Sequence, residues 1–326
     1  MRIITTGSIA NDHLMSFDGQ FAEQIRADSL EHLSVSFLVN ELNIHRGGTG
    51  ANISYAAGLL GARPALVGAV GSDFEGDGRA WLEDHGVDTR FVSVSASRHT
   101  ARFVCTTDST GAQIGSFYPG AMAEAAGISL APVVAALGGC DAVLVGPDDP
   151  TAMLAHADEC RAAGWPLWAD VGQQVARFEA ADLMAFIDGA AYLFTNTFEA
   201  GVLEHKTGWS TAEVLARVGT WVVTRGSESV EIRTAAAEPL VIPVVPVVNA
   251  VDPTGAGDAF RGGFLAAHGW GLSDERAAQV GAAVAAFSVE APGPQEYSVT
   301  IEGVVQKIRS VYGEDAASEV AAASRS

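Results

Sequence analysis

The sequence predicts an α/β fold, with a sheet of parallel strands covered by helices on both faces and a small β-sheet lid. Three observations predict it. Short apolar runs alternate with helical stretches along most of the chain, and strands separated by helices imply parallel crossovers. Two stretches, about 12–47 and 92–119, break that rhythm and read as strands. At 326 residues, 48% hydrophobic and 18% charged, the chain can bury the core of one large domain spanning 1–326.

RIITTGSIA (2–10) reads as a buried strand and ANISYAAGLLGA (51–62) as a helix of small residues. ALVGAVG (65–71) is a strand and GRAWLEDHGV (78–87) a helix. The rhythm resumes with the strands DAVLVG (141–146), PLWADV (166–171), YLFTN (192–196) and WVVTRG (221–226). From Gly255 onward three helices are expected, GAGDAFRGGFLAAHG, ERAAQVGAAVAAFSVEA and IEGVVQKIRSVYG, before a tail, EDAASEVAAASRS, that continues a short helix and then frays. The first exceptional stretch holds SVSFLV and NELNIHRGG. The second holds ARFVCTTDSTGAQIGSFY (101–118), which reads as a hairpin around the turn DSTG. Both are expected to project from the body as a lid. A sheet-like lid exposes edges that a second copy would cover, so a homodimer through the lids is expected.

The net charge of −20 argues against nucleic acid or an anionic membrane as the main partner. It leaves room for an anion in a local pocket. No apolar run approaches the ~18 residues of a membrane span. MRIITTGSIAND lacks the apolar core and cleavage site of a signal peptide, so a cytoplasmic enzyme is expected. Cys105, Cys140 and Cys160 form no CxxC pair and read as reduced apolar fillers.

No GxxxxGK[ST] loop is present, and neither Lys206 nor Lys307 follows a glycine-rich loop. A bound triphosphate would therefore rest on backbone amides. DPTGAGD (252–258) can supply them, with a helix starting at about Asp258. A helix N-terminus leaves N–H groups unpaired and carries partial positive charge, and glycines let an anion come close. Gly255, Ala256 and Gly257 can thus form an anion hole, with the Asp258 carboxylate placed to accept a hydroxyl proton. Taken alone, the segment also reads as an Asp N-cap after a glycine-rich turn. In RGGTGANISYAAGLLGARPALVGAVGSDFEG (46–76), Gly47 and Gly48 allow close approach of a ligand, and Asn52 offers a donor and an acceptor. That pattern suits a ribose or polyol, or a tight turn before a closely packed helix. In NTFE (196–199), Asn196 and Glu199 follow a strand's carboxyl end and suit magnesium held through water. They equally suit a capping box.

GGTGAN followed by Gly61 and Gly71, then DPTGAGDAFRGGFL, resembles the two signatures of the ribokinase-like, or PfkB, carbohydrate kinases. NTFE matches that family's NxxE. The resemblance covers nearly the whole chain. It implies a doubly wound α/β domain with a β-sheet lid, ATP with Mg2+ as cofactors, and often a monovalent cation such as K+. By motif it implies Asp258 as base and Gly255, Ala256 and Gly257 as anion hole. It places Asn196 and Glu199 by magnesium and the phosphates, Thr224 and Gly226 by the nucleotide, and Asp252 and Thr254 by the monovalent cation.

Within the family the chain is most similar to actinobacterial adenosine kinases, on GSIANDHLMSF, SVSFLVNEL, TARFVCTTD, SFYPGAM and TGWS. That likeness implies that Ser8, Asp12, Ser36, Gly48 and Asn52 line a nucleoside site. Asp12 would accept from ribose hydroxyls. Phe103 and Phe117 would stack on a base or pack the lid interface, and Arg177 would touch substrate or phosphate. Three departures stand out. Pro253 replaces the threonine usual in sugar kinases, Asp170 is followed by Val171-Gly172-Gln173-Gln174 in place of a DxNxR motif, and Ser229 replaces a glycine after the TxG turn. The expected activity is adenosine kinase, converting adenosine and ATP to AMP and ADP. The alternative is a kinase of ribose, fructose or a related furanose. Intact Asp258 and Gly257 disfavour a silent binding protein, and the lack of GxGxxG after the first strand disfavours a Rossmann dehydrogenase.

Overall fold

The structure is a computed structural model and describes residues 1–25 and 34–325. In chain order the strands are β1 (Ile3–Thr6), β2 (Ala10–Phe17), β3 (Glu41–Gly47), β4 (Ala65–Val70), β5 (Val92–Val94), β6 (Ala101–Asp108), β7 (Gln113–Tyr118), β8 (Ala142–Val145), β9 (Leu167–Asp170), β10 (Tyr192–Asn196), β11 (Thr220–Thr224), β12 (Ser229–Thr234) and β13 (Ala237–Pro243). The helices are α1 (Phe21–Gln24), α2 (Thr49–Leu59), α3 (Asp77–Asp84), α4 (Ala131–Leu137), α5 (Pro150–Ala163), α6 (Ala180–Ile187), α7 (Thr197–Thr207), α8 (Thr211–Leu215), α9 (Ala256–Gly269), α10 (Asp274–Val289), α11 (Ile301–Tyr312) and α12 (Glu314–Ala323).

Among the described residues the main sheet has nine strands in the order β13-β12-β11-β10-β9-β8-β1-β4-β5. Strands β11 to β5 in that order pair in parallel, while β12 and β13 are antiparallel. The central strands are buried along their whole length, as strands covered on both faces must be. Successive side chains point to opposite faces. Phe194 and Val222 therefore pack with α2, α9 and α10, while Leu193 and Trp221 pack with α5 and α6. The chain winds outward from β1 through β4 to β5, then from β8 outward through β11. The reversal falls between β1 and β8, and the doubly wound fold opens a crevice at their carboxyl ends. There Ser8 N–H donates to the Pro147 carbonyl at 2.9 Å.

The lid is a separate four-stranded sheet in the order β3-β2-β6-β7. The β6–β7 hairpin turns where expected, held by Asp108 Oδ1, which accepts from the amides of Thr110 at 2.8 Å and Ala112 at 3.0 Å. The register sets Asp12 beside His45 and Phe103, and Phe103 beside Phe117, all on one face.

The expected lid boundaries need correction. Its first strand starts at Ala10, and Val92–Val94 pairs with β4 in the main sheet, so the second contribution starts at Ala101. SVSFLV forms no strand. Phe37 instead packs against Phe17 at 5.0 Å and Phe21 at 4.9 Å between ring centroids. Residues 26–33 of the first stretch lie outside the described residues. Strands β12 and β13 were not expected. β13 is an exposed edge with two prolines, Pro239 and Pro243, and little alternation, so its sequence carries a weak strand signal. Among the described residues no single helix is long and apolar enough to cross a membrane.

Helices α2 and α9 cross at Gly262. A Cβ there would lie 2.4 Å from the Ala56 Cβ and 2.6 Å from the Ile53 carbonyl oxygen. Only a glycine allows this approach. Gly262→Ala is expected to destabilise the fold by ~1–3 kcal/mol through overpacking, read as a lowered thermal denaturation midpoint.

Candidate active site

Two cavities adjoin at the carboxyl ends of the parallel strands. The larger, about 780 Å³, is lined by Asn196, Glu199, Thr224, Gly226, Gly257 and Asp258, with an apolar end of Val244, Val245, Val247, Ala282, Ala286 and Val289. The smaller, about 350 Å³, is lined by Ser8, Asp12, Gly48, Asn52, Phe103, Phe117, Arg177, Gly255 and Asp258. Asp258 lines both, together with Thr49, Pro147 and Gln173.

Helix α9 begins two residues earlier than expected. Gly255 is its N-cap at φ +77°, and Asp258 is the third residue of the first turn. A Cβ on Gly255 would lie 2.4 Å from the Pro294 Cβ, so a side chain is excluded on two counts. The loop before it is tied by Asp252, whose Oδ1 accepts from Thr254 N–H at 2.8 Å and whose Oδ2 accepts from Gly293 N–H at 3.2 Å. The Ala256 N–H donates to the Pro253 carbonyl at 3.2 Å. That amide closes the turn, while the amides of Gly255 and Gly257 have no such backbone partner among the described residues.

The Asp258 carboxyl is pushed up to about 6. Burial is the main cause, and the charges of Glu199 and Asp12 add to it. A hydrogen bond from Asn52 Nδ2 at 2.8 Å and the charge of Arg261 pull the other way. Gln295 Nε2 in turn donates to Asn52 Oδ1 at 2.8 Å. Arg261 is buried and meets the buried Asp170 through Nε–Oδ2 at 2.6 Å and Nη2–Oδ1 at 2.8 Å. Its Nη1 donates to the Gly257 carbonyl at 3.0 Å. One guanidinium thus fastens the first turn of α9 to the end of β9.

Asn196 and Glu199 form a capping box. Asn196 Oδ1 accepts from Glu199 N–H at 2.8 Å, and Glu199 Oε2 accepts from Asn196 N–H at 2.7 Å. Both still line the larger cavity, and the second Glu199 oxygen has no hydrogen bond among the described residues. Among the described residues no group of three or more His, Cys, Asp or Glu gathers around a point. This donor set fits a magnesium ion coordinated mostly by phosphate and water. Thr224 and Gly226 line the same cavity, as expected.

In the smaller cavity the Asp12 carboxyl is also pushed up to about 6, mainly by burial, with His45 opposing the shift and Asp252 adding a smaller push upward. Ser8 Oγ accepts from Thr49 N–H at 3.0 Å at the start of α2. Phe117 stands 48% exposed on the lid face that looks into the cavity. Arg177 reaches the cavity edge. Ser36 does not: it is exposed and lines neither cavity, because its segment runs outside the lid sheet.

Arg261, Gln295 and the apolar end of the larger cavity were missed by sequence reasoning. A lone arginine amid the small and apolar residues of DAFRGGF was a usable signal for the first. Gln295 lies on a loop without a pattern, and the apolar end joins a loop (Val244, Val245, Val247) to α10 (Ala282, Ala286, Val289), which no local pattern connects.

A carboxylate between a cavity with free helix-start amides and an apolar end, and a second cavity with an acid and two aromatic rings, defines an ATP-dependent kinase of a small-molecule hydroxyl. The chain belongs to the pfkB family of carbohydrate kinases, whose model matches residues 14–301. It is 31% identical over 297 residues to a nucleoside kinase of Methanothermobacter thermautotrophicus, covering 90% of this chain and 91% of that one. It is 28% identical over 249 residues to a 1-phosphofructokinase of Haloferax volcanii, covering 76% and 80%. The solved nucleoside kinase of Burkholderia thailandensis in complex with inosine superposes with a TM-score of 0.81 at 32% identity, covering 96% of this chain and 99% of that one.

Asp170→Asn is expected to destabilise the protein by ~3–5 kcal/mol, because it leaves the buried Arg261 charge uncompensated. The double change Asp170→Leu with Arg261→Met should recover much of that loss in urea denaturation.

Proposed function

We propose that the chain is a nucleoside kinase that transfers the γ-phosphate of ATP to the ribose 5′-hydroxyl of a purine nucleoside, adenosine foremost, yielding the monophosphate and ADP. The observation that carries this reading is the Asp258 carboxylate, shared by two cavities of unequal character. The apolar end of the larger suits adenine, and the amides of Gly255 and Gly257, where the two cavities adjoin, suit phosphate. In the smaller, Asp12 suits the ribose diol, and Phe103 with Phe117 offers aromatic faces that a free sugar does not need. The homologous nucleoside kinases support the same choice.

Asp258 takes the hydroxyl proton while the amides of Gly255 and Gly257 and the positive end of α9 offset the charge on the transferring phosphoryl group. Magnesium beside Asn196 and Glu199 would neutralise phosphate charge. A monovalent cation, K+, suits the loop of Asp252 and Thr254, whose carboxylate already gathers two amides and retains lone pairs. Closure of the lid over the nucleoside excludes water and limits ATP hydrolysis.

The test is ATP consumption with adenosine, inosine, ribose and fructose in parallel, in K+ or Na+. Nucleosides should exceed both sugars at least about tenfold in kcat/KM, and K+ should raise the rate. Faster turnover of a sugar would overturn the substrate assignment. Asp258→Asn should fold and bind ligands but lose ~10²-fold or more in turnover. The base works ionised, so wild-type activity should rise with pH through about 6 and level off above it. Phe117→Ala should raise the nucleoside KM roughly tenfold through lost stacking, with ribose unaffected.

We also propose a homodimer through the lids. The register places Leu42, Ile44 and Ile114 on the lid face opposite Phe103, where they are 53%, 56% and 42% exposed. Light scattering should give twice the chain mass, and Ile44→Glu should give the monomer.

A further inference from the structure

We infer that Gln295 is a positioning residue for the catalytic base: it fixes the amide of Asn52, which in turn aims the Asp258 carboxylate at the substrate hydroxyl. The inference deepens the kinase reading above and rests on it. Gln295 lies on the loop after α10 and is 2% exposed. It is far from the sequence segments that carry the chemistry. Yet Gln295 Nε2, Asn52 and Asp258 Oδ2 form a continuous chain of two 2.8 Å hydrogen bonds.

The direction of this chain is forced by chemistry. An ionised carboxylate only accepts, so Asn52 must turn its NH2 toward Asp258. Its carbonyl oxygen then faces Gln295, which must answer with its own NH2. Turning the Asn52 amide end for end would set acceptor against acceptor at one contact and donor against donor at the other. Without Gln295 that turn would break only the bond to Asp258. With Gln295 it breaks both.

A second consequence concerns substrate. One of the two lone pairs of Asn52 Oδ1 is taken by Gln295, so Asp12, a carboxylate lining the same cavity, is the stronger acceptor for ribose hydroxyls.

The charged and titratable groups facing Asp258 are Arg261 on its own helix, Glu199 from α7, Asp12 from the lid, Asp170 behind Arg261, and Tyr297 from the loop of Gln295. Among these neighbours Asn52 is the neutral side chain that hydrogen-bonds the carboxylate directly. Losing its orientation removes a bond that favours the ionised base, so the titration of Asp258 must move upward.

The experiment compares Gln295→Leu and Gln295→Met, both close to glutamine in size. Each removes the donor without adding charge, and methionine also keeps the unbranched shape of the side chain. In both, kcat should fall about tenfold or more while the nucleoside KM stays within about threefold, as for a misaimed catalytic group. The acid limb of kcat should move up by about half a pH unit or more. A substrate-free readout is the carboxyl-carbon NMR titration of Asp258, assigned with Asp258→Asn, which should show the same shift. If the wild type phosphorylates no nucleoside, the substrate reading fails, and the NMR titration still decides the role of Gln295. If Gln295→Leu does not fold, Gln295→Met carries the test. An unmoved titration with kcat within about twofold of wild type overturns the inference, as does a raised KM with kcat and limb unchanged.

Discussion

The close crossing of α2 and α9 is the constraint on which the site depends. α2 carries Asn52 and α9 carries Asp258, and Gly262 lets the two backbones approach where any side chain would collide with Ala56 and Ile53. One turn of helix away from that contact, the same separation becomes a 2.8 Å hydrogen bond between Asn52 and Asp258. Close packing therefore sets the position of the base before any polar contact is made. Interiors packed this densely transmit a shift of a few tenths of an ångström instead of absorbing it. The other end of the first turn of α9 is held separately, by Arg261 against Asp170 and by Gly255 against Pro294. Three independent contacts thus fix a short stretch whose own residues are small and flexible.

Electrostatics sets the working range of that base. Burial and two neighbouring acids, Glu199 and Asp12, oppose ionisation of Asp258, while Asn52 and Arg261 support it. The net displacement, from an ordinary value of 3.8 to about 6, amounts to roughly 3 kcal/mol against the charged form. An unshifted carboxylate would be a weaker proton acceptor. One shifted much further would be protonated at neutral pH. Arg261 cannot swing the balance far, because its charge is already matched by Asp170.

Local motifs made much of this legible in the sequence. The hairpin around DSTG needs only nearby residues to form, the runs at 141–146 and 192–196 carry the short apolar pattern of buried strands, and all three sit where the pattern placed them. NTFE admitted a capping box or a magnesium site, and the geometry gives the cap while leaving one Glu199 oxygen toward the larger cavity. The start of α9 was misjudged by two residues, because Asp258 looks like a cap while Gly255, in a left-handed conformation, serves as one. Gln295 and Arg261 were invisible for a different reason. Their partners lie 243 and 91 residues away, and no spacing rule reaches that far. Ser36 failed because its segment is held by Phe17 and Phe21, an aromatic cluster that no strand pattern records.

The charge distribution presents a final question, since a chain of net charge −20 binds a polyanion. Neither lysine contributes. Lys206 donates to the carbonyls of Ala176 and Phe178, both at 2.7 Å, and Lys307 pairs with Glu290 at 3.1 Å. Arg261 faces the larger cavity but is neutralised by Asp170. Arg177 reaches only the edge of the smaller cavity, so at the phosphoryl group the attraction falls mainly to the amides of Gly255 and Gly257 at the positive end of α9, together with the divalent ion that accompanies the nucleotide. Such dipoles act over a short range, so they hold a phosphoryl group only when it is already seated against the helix. A site built this way gains little from long-range attraction and much from shape. That is consistent with an aromatic lid that must close, and with a base whose aim is fixed by packing and by neutral amides.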